Sequence, residues 1–270
     1  MKTSDKSCER QPAVNRRSWL SALLLWLLAF VRASHGAGAP LDEGIRAYAR
    51  EDFKAAVNLF EQAVEAHPND ANAQLWLGRA YGRRAERANW FSALGLAKKT
   101  VASFERAVGL DGKNREALEA LLDYYISAPG IVGGGADKAE PIAERIAKLN
   151  PAAGERAWAS ILKHREKYDE AEKRIEKAIA LEPENVGHVL SLASFKSQRG
   201  WYDASDDLYK KAFAIAPDSP EVWFSRAKEL VRAERHPEEA RELLKKYIAA
   251  ELKPSAEPKS EARKLLKKAG

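Results

Sequence analysis

The residues best suited to bind a ligand form the glycine-rich stretch APGIVGGGADKA, residues 128–139. Three successive glycines, Gly133–Gly135, can bring backbone amides close to a phosphate. A phosphate-binding loop also needs a strand before it and a Lys-Ser or Lys-Thr pair after it, and neither is present. We therefore expect Pro129 and the glycines to form a turn between two helices. Asp137 is then expected to be the N-cap of the second helix, with Glu140 completing a capping box.

Other chemistry finds little support in the sequence. The five histidines are isolated, and no two have the spacing of metal ligands. The chain has no G-x-S-x-G or H-E-x-x-H motif, and its single cysteine is Cys8. Acidic residues lie at salt-bridge spacing beside lysines, as Glu172 and Glu176 do beside Lys173 and Lys177. We predict a non-enzymatic protein that uses no cofactor and no metal.

The net charge of +6 does not indicate a nucleic-acid-binding protein. Residues 1–39 carry +4 of it, which leaves +2 for residues 40–270. A nearly neutral body lacks the basic surface that a nucleic acid requires. We therefore exclude nucleic acid as a partner.

The first 36 residues have the layout of an export signal. Arg16–Arg17 precede an apolar run, Trp19–Val31, and small residues follow. The run has 13 residues, whereas a membrane-spanning helix needs roughly 20. We predict that 1–36 is removed on export to the periplasm or beyond, after Ala33 or Gly36. The alternative is an uncleaved anchor in the inner membrane, facing the periplasm, and the paired arginines leave the general and twin-arginine routes open.

Beyond residue 40 the chain is self-similar. Stretches 50–70, 165–185 and 198–219 share an aromatic residue, a small residue, an apolar residue four later, an alanine three further and then a proline. These offsets place the side chains on one helix face, and the proline ends the helix. The three series are Phe53-Ala56-Phe60-Ala63-Pro68, Tyr168-Ala171-Ile175-Ala178-Pro183 and Tyr202-Ser205-Tyr209-Ala212-Pro217.

This pattern resembles the tetratricopeptide repeat, a 34-residue pair of antiparallel helices, and Pro183 and Pro217 lie 34 residues apart. The resemblance implies an all-α protein, a right-handed α-solenoid of about six helix-pair repeats over residues 37–254. Residues 255–270 are expected to form a C-terminal capping helix. The chain is also similar to exported bacterial proteins of this family, which implies a scaffold for protein–protein interaction in the cell envelope. The repeat boundaries lie near 37–70, 71–113, 114–151, 152–185, 186–219 and 220–254.

The resemblance implies that partner-binding side chains come from the first helix of each repeat. By register these candidates are Arg79, Arg83, Asp123, Arg156, Lys163, Lys228 and Arg232. Together with Glu116 and Glu119 they describe basic patches separated by an acidic one. The alternative is a solvated charged face without a ligand.

A second candidate surface comes from two repeats that contain extra residues. The stretch 128–135 is five residues longer than the repeat requires, and the second repeat has ten extra residues around Trp90 and Phe91. Corresponding turns of adjacent repeats project from the same edge, so we expect the aromatic residues and Ile131 to form one partner-binding edge. The alternative is that the aromatic side chains fold back over their own repeat.

Overall fold

The structure is a computed structural model that describes residues 39–270. The predicted export signal, residues 1–36, lies outside the described residues. Within them the chain forms thirteen α-helices, one short 3₁₀ helix and no strand, which confirms the predicted all-α fold. The helices are α1 (Ala39–Ala49), α2 (Phe53–Ala66), α3 (Ala71–Glu86), α4 (Trp90–Leu110), α5 (Arg115–Ser127), α6 (Ala136–Leu149), α7 (Pro151–His164), α8 (Tyr168–Leu181), α9 (Val186–Gln198), α10 (Tyr202–Ile215), α11 (Pro220–Arg232), α12 (Pro237–Ala249) and α13 (Lys259–Lys268).

Consecutive helices pack as pairs, and six such pairs stack along the chain. Pairs α1–α2, α3–α4, α5–α6, α7–α8, α9–α10 and α11–α12 correspond to the six predicted repeats. The first helix of a pair also contacts the first helix of the next, as α5 does with α7 and α9 with α11. These contacts align the first helices along one side of the stack, which we call the groove face. The predicted helix-pair solenoid is confirmed.

Small residues let the paired helices approach closely. The repeat alanines Ala63, Ala178 and Ala212 are at most 2% exposed. Gly78 faces Phe104, and a Cβ added there would lie 2.6 Å from the ring. Protein interiors are packed too tightly to absorb larger side chains at such positions, so the repeat pattern marks helix–helix contacts.

In four of the six pairs, the first helix ends in the same tight turn. Glu51, Glu166, Gly200 and Glu234 have positive φ angles of 63°, 58°, 79° and 53°. The next residue donates its N–H to a carbonyl five residues earlier, as Lys167 does at 2.9 Å. This is the Schellman ending of a helix. The second and third pairs lack it, and they are the two pairs that contain extra residues.

The extra residues of the second pair lengthen a helix instead of enlarging a turn. Helix α4 has 21 residues, whereas α2, α8 and α10 have 14 each. Asn89 caps α4 by accepting the N–H of Ser92 at 3.0 Å. Residues 93–99 are strong helix formers apart from Gly95, so helix is the favoured conformation once the cap is in place.

The glycine-rich turn of the third pair is present, but the predicted start of the following helix is wrong. Gly133 and Gly135 have φ angles of 97° and 146°, which glycine adopts without strain. Helix α6 starts directly after Gly135, and no side chain caps it. Asp137 therefore lies inside the first turn. Its carboxylate and that of Glu140 accept hydrogen bonds from Arg165 instead, so no capping box forms.

The C-terminal end of the stack returns to its beginning. Helix α13 starts at Lys259, later than the sequence predicted, and packs on α11 and α12. The backbone N–H of Ser260 donates to the carboxylate of Glu51 at 2.9 Å, although the two residues are 209 positions apart. Arg83 also donates to Glu257 at 3.0 Å. We call residues 251–263 the C-terminal clasp, because this segment joins the last helix pair to the first.

Candidate partner-binding surfaces

The predicted charge patches of the groove face do not exist as separate patches. Arg79 on α3 donates to Glu116 on α5 at 2.9 Å, and Arg156 on α7 donates to Glu119 on α5 at 3.0 Å. Both pairs are 37 residues apart, which places their members on neighbouring first helices. The acidic residues therefore neutralise the basic ones across the repeat boundary, and this part of the sequence interpretation is wrong.

Of the two groove candidates near the C-terminal end, Lys228 and Arg232, one is bound to a buried carboxylate. Glu229 on α11 is 5% exposed and accepts hydrogen bonds from Arg232 and from Ser194 of α9. Arg232 also donates to Ser197 at 3.0 Å. Lys228 is exposed and forms no ion pair with a described residue. Only Lys228 of this group therefore presents a free charge to a ligand.

Arg83 belongs to the clasp. Its guanidinium lies 3.4 Å from the hydroxyl of Tyr48 and donates to Glu86 and Glu257. The side chain is thus held by three neighbours, and one of them comes from the opposite end of the chain. Local sequence patterns carry no signal for this contact, because the two partners are 174 residues apart.

The remaining candidates line one cavity at the middle of the groove face. The cavity has a volume of about 200 Å³ and lies between α5, α7 and α9. Glu119 and Asp123 line it from α5, and Arg156 and Lys163 from α7. The structure therefore brings together three of the predicted groove residues, Asp123, Arg156 and Lys163.

Both unpaired charges of this cavity are held in a protein-lined recess. Desolvation by the surrounding helices raises the pKa of Asp123 to about 6, although the charges of Arg156 and Lys163 act against the shift. The Asp123 side chain remains accessible from the groove face. Desolvation also lowers the pKa of Lys163. Neither the carboxylate of Asp123 nor the amine of Lys163 forms a hydrogen bond with a described residue. One strong acceptor and one strong donor therefore face the cavity without partners.

The pair of unpaired groups is suited to a peptide group. A carboxylate accepts from a backbone N–H, and an ammonium donates to a carbonyl or carboxylate. Because neither side chain has a hydrogen-bond partner among the described residues, both are free to bind such a group from a ligand. Arg156 already donates to Glu119, and we assign it the role of closing one wall of the cavity.

The second candidate surface is an exposed apolar edge. Trp90, Phe91 and Ile131 are 70%, 86% and 70% exposed, so the aromatic side chains do not fold back over their repeat. The hydroxyl of Tyr124 lies 2.8 Å from the carbonyls of both Ala97 and Val132 and links α4 to the glycine-rich turn. The lengthened helix and the turn are therefore neighbours. We call Trp90, Phe91 and Ile131 the apolar edge.

Two further properties concern residues 39–270. This part of the chain contains no cluster of three or more His, Cys, Asp or Glu side chains that could hold a metal ion. None of its helices is long and apolar enough to cross a membrane.

Comparison with known proteins supports the same fold. Residues 41–96 match the tetratricopeptide repeat family model. A thermophilic repeat protein of this type from Thermus thermophilus has a similar structure, with a TM-score of 0.55 and 23% identity over 72% of this chain and 99% of the other. A tetratricopeptide repeat protein from Parabacteroides merdae gives a TM-score of 0.51 and 16% identity over 87% and 99% of the two chains. No curated protein sequence matches the chain.

Proposed function

We propose that this chain of tetratricopeptide-type helix pairs is a non-enzymatic scaffold that binds a protein partner in the cell envelope. The observation that carries the proposal is the cavity between Asp123 and Lys163 on the groove face. Proteins of this fold present their first helices to partners, and here those helices leave one unpaired acceptor and one unpaired donor. A repeat scaffold supports chemistry only when a catalytic site is added to it, and we assign no such site.

The cavity is large enough for one short stretch of the partner. Its volume of about 200 Å³ is smaller than the pockets of drug-sized ligands. We propose that Asp123 accepts a backbone N–H of the partner and that Lys163 donates to a carbonyl. Ser160 and Ser191, which line the same cavity, offer further hydroxyls to the segment.

The envelope location rests on the N-terminal sequence. The apolar run Trp19–Val31 after two arginines supports export, and its length favours removal. Intact mass measurement of the protein purified from its native cells tests this directly. Loss of residues 1–36 supports an exported scaffold, whereas retention supports a membrane-anchored assembly factor that faces the periplasm.

Site-specific photocrosslinking tests the groove. A photoreactive amino acid at position Ser160 is expected to give one discrete adduct with the partner in native cells. The double variant Asp123→Asn with Lys163→Gln should abolish the adduct, because it removes the charges of both unpaired groups. Its melting temperature should not fall, since neither side chain forms a hydrogen bond with a described residue and desolvation disfavours both charges.

A matched control uses the outer face of the stack. Lys173→Gln with Glu176→Gln makes the same charge change at two exposed residues of α8 that form no ion pair with a described residue. This variant should retain the adduct. An adduct that persists in the groove variant, or that disappears equally in the control, contradicts the proposed site.

A further inference from the structure

The apolar edge is the most exposed hydrophobic surface in the described part of the chain. Its three residues are at least 70% exposed, whereas Leu149, Leu181 and Trp201 are 41–48% exposed. Single exposed hydrophobic residues are common, but adjacent aromatic residues with so little cover indicate an interaction surface. The edge is distinct from the groove cavity, none of whose lining residues belongs to it.

The edge protrudes from the stack. Helix α4 is seven residues longer than the second helices α2, α8 and α10, and the extra residues lie at its N-terminal end. At 1.5 Å per residue, this raises Trp90 and Phe91 about 10 Å above the level at which the other second helices start. A protruding aromatic pair needs either a concave partner or a soft, deformable surface to cover it.

The segment that contains the protruding aromatic pair is basic. Segment 84–99 holds four basic residues and one acidic residue, Glu86, which is paired with Arg83. Arg84 and Lys98 form no ion pair with a described residue. Lys98 lies seven residues after Phe91, on the same helix face, and helical side chains lean toward the N-terminus. The ammonium of Lys98 is therefore directed toward the aromatic end of the helix.

We infer that this edge docks on a lipid bilayer that contains anionic lipids, with Trp90 and Phe91 inserted at the level of the headgroups. Tryptophan is favoured at this depth because its ring is apolar and its N–H is polar. Lysine and arginine beside an apolar tip bind the phosphates of anionic lipids. A fluid bilayer covers a protrusion without a matching cavity, whereas a protein partner would need a concave acidic surface. The charge and the shape of the edge both favour the bilayer.

A fluorescent label beside the aromatic pair tests the inference in the full-length chain. The parent variant carries Cys8→Ser and Ser92→Cys, and bimane is attached at position 92. It is mixed with phosphatidylcholine vesicles that contain doxyl-labelled lipid, with or without phosphatidylglycerol. We expect the doxyl lipid to quench the label when phosphatidylglycerol is present. The readout is local to the edge, so it does not depend on whether the N-terminal segment itself binds the vesicle.

Two controls make the outcome decisive. A label at Ala214→Cys, an exposed position of α10, should not be quenched. Phe91→Ala should weaken the docking of the edge about tenfold and Lys98→Gln about fivefold, whereas the circular dichroism should stay unchanged. Equal quenching at positions 92 and 214, or quenching that is insensitive to Phe91→Ala, would overturn the inference. Absence of quenching together with a discrete photocrosslink from position Ile131 would also overturn it and assign the edge to a protein partner.

Discussion

The contacts of the C-terminal clasp allow us to predict the free energy that holds the two ends of the stack together. Glu51 accepts a hydrogen bond from the backbone N–H of Ser260 and pairs with Arg87 at 2.9 Å. A hydrogen bond to a charged group contributes about 1.5–3 kcal/mol, whereas the ion pair with Arg87 joins two residues outside the clasp and does not hold it closed. We therefore expect Glu51→Ala to weaken closure by about 2 kcal/mol.

Hydrogen exchange measures this change locally. A loss of about 2 kcal/mol corresponds to a nearly thirtyfold increase in the open population, so the amide of Ser260 should exchange up to about thirtyfold faster. Glu166→Ala is a matched control, because Glu166 occupies the same turn position with a φ of 58° and forms no hydrogen bond through its side chain with a described residue. Equal exchange of the Ser260 amide in the two variants would refute the clasp.

Closure should also depend on pH. Burial of Glu51 acts to raise its pKa, but the hydrogen bonds from Ser260 and Arg87 outweigh it, and the pKa is lowered from 4.5. A carboxyl group whose pKa is lower in the closed state stabilises that state fully above its ordinary pKa. Its contribution is lost as the pH falls below 4.5 through the lowered value. On acidification the protection factor of the Ser260 amide, which compares its exchange rate with the intrinsic rate at the same pH, is expected to fall in the native chain and not in Glu51→Ala.

Three further predictions concern stability and are measured by thermal and urea unfolding. Gly154→Ala should destabilise the fold by about 1–3 kcal/mol, because a Cβ there would lie 2.4 Å from the backbone of α6. Gly109→Ala should stabilise the fold by about 0.5–1 kcal/mol, because an added Cβ would have no atom within 4 Å. Glu166→Gly should stabilise the fold by about 0.5–1 kcal/mol by relieving its left-handed backbone, and Glu176→Gly inside α8 should destabilise it by about 1 kcal/mol. Three side-chain hydrogen bonds lower the pKa of Glu182 to about 2. The carboxylate therefore stabilises the fold fully above pH 4.5, and this stabilisation falls as the pH drops toward 2. Glu182→Gln should lack this pH dependence. The packing argument is contradicted if Gly109→Ala loses more stability than Gly154→Ala. The backbone argument is contradicted if Glu166→Gly is less stable than the native chain, and the pKa argument if Glu182→Gln keeps the native pH dependence.

The repeat pattern could be predicted because each of its positions records a local contact. Ala178 is fully buried and Tyr209 is 1% exposed, as the spacing of the pattern predicts. Offsets of three and four residues identify one face of a helix, and this face is buried against the partner helix of the same pair. The fold class therefore follows from short stretches of sequence.

The contacts between repeats could not be predicted in the same way. The pairing of Arg79 with Glu116 needs the rotation between successive repeats, which no local pattern encodes. The contact of Glu51 with Ser260 needs the sum of all the rotations along the stack. The helical form of residues 90–99 was missed for another reason, because the extra length was assigned to a turn although its residues favour helix.

The turn between α3 and α4 joins the two features that depart from the regular repeat. Arg83 and Arg87 donate across it to the clasp and to Glu51, and Trp90 starts the apolar edge three residues after Arg87. Release of the clasp would free Arg83 from Glu257 and leave its charge on the turn that leads to the aromatic pair. A surface that attracts this charge binds the open state more tightly, and by linkage it favours opening to the same extent. The geometry thus couples the closure of the stack to whatever covers the edge, because both interactions draw on the same short segment of chain.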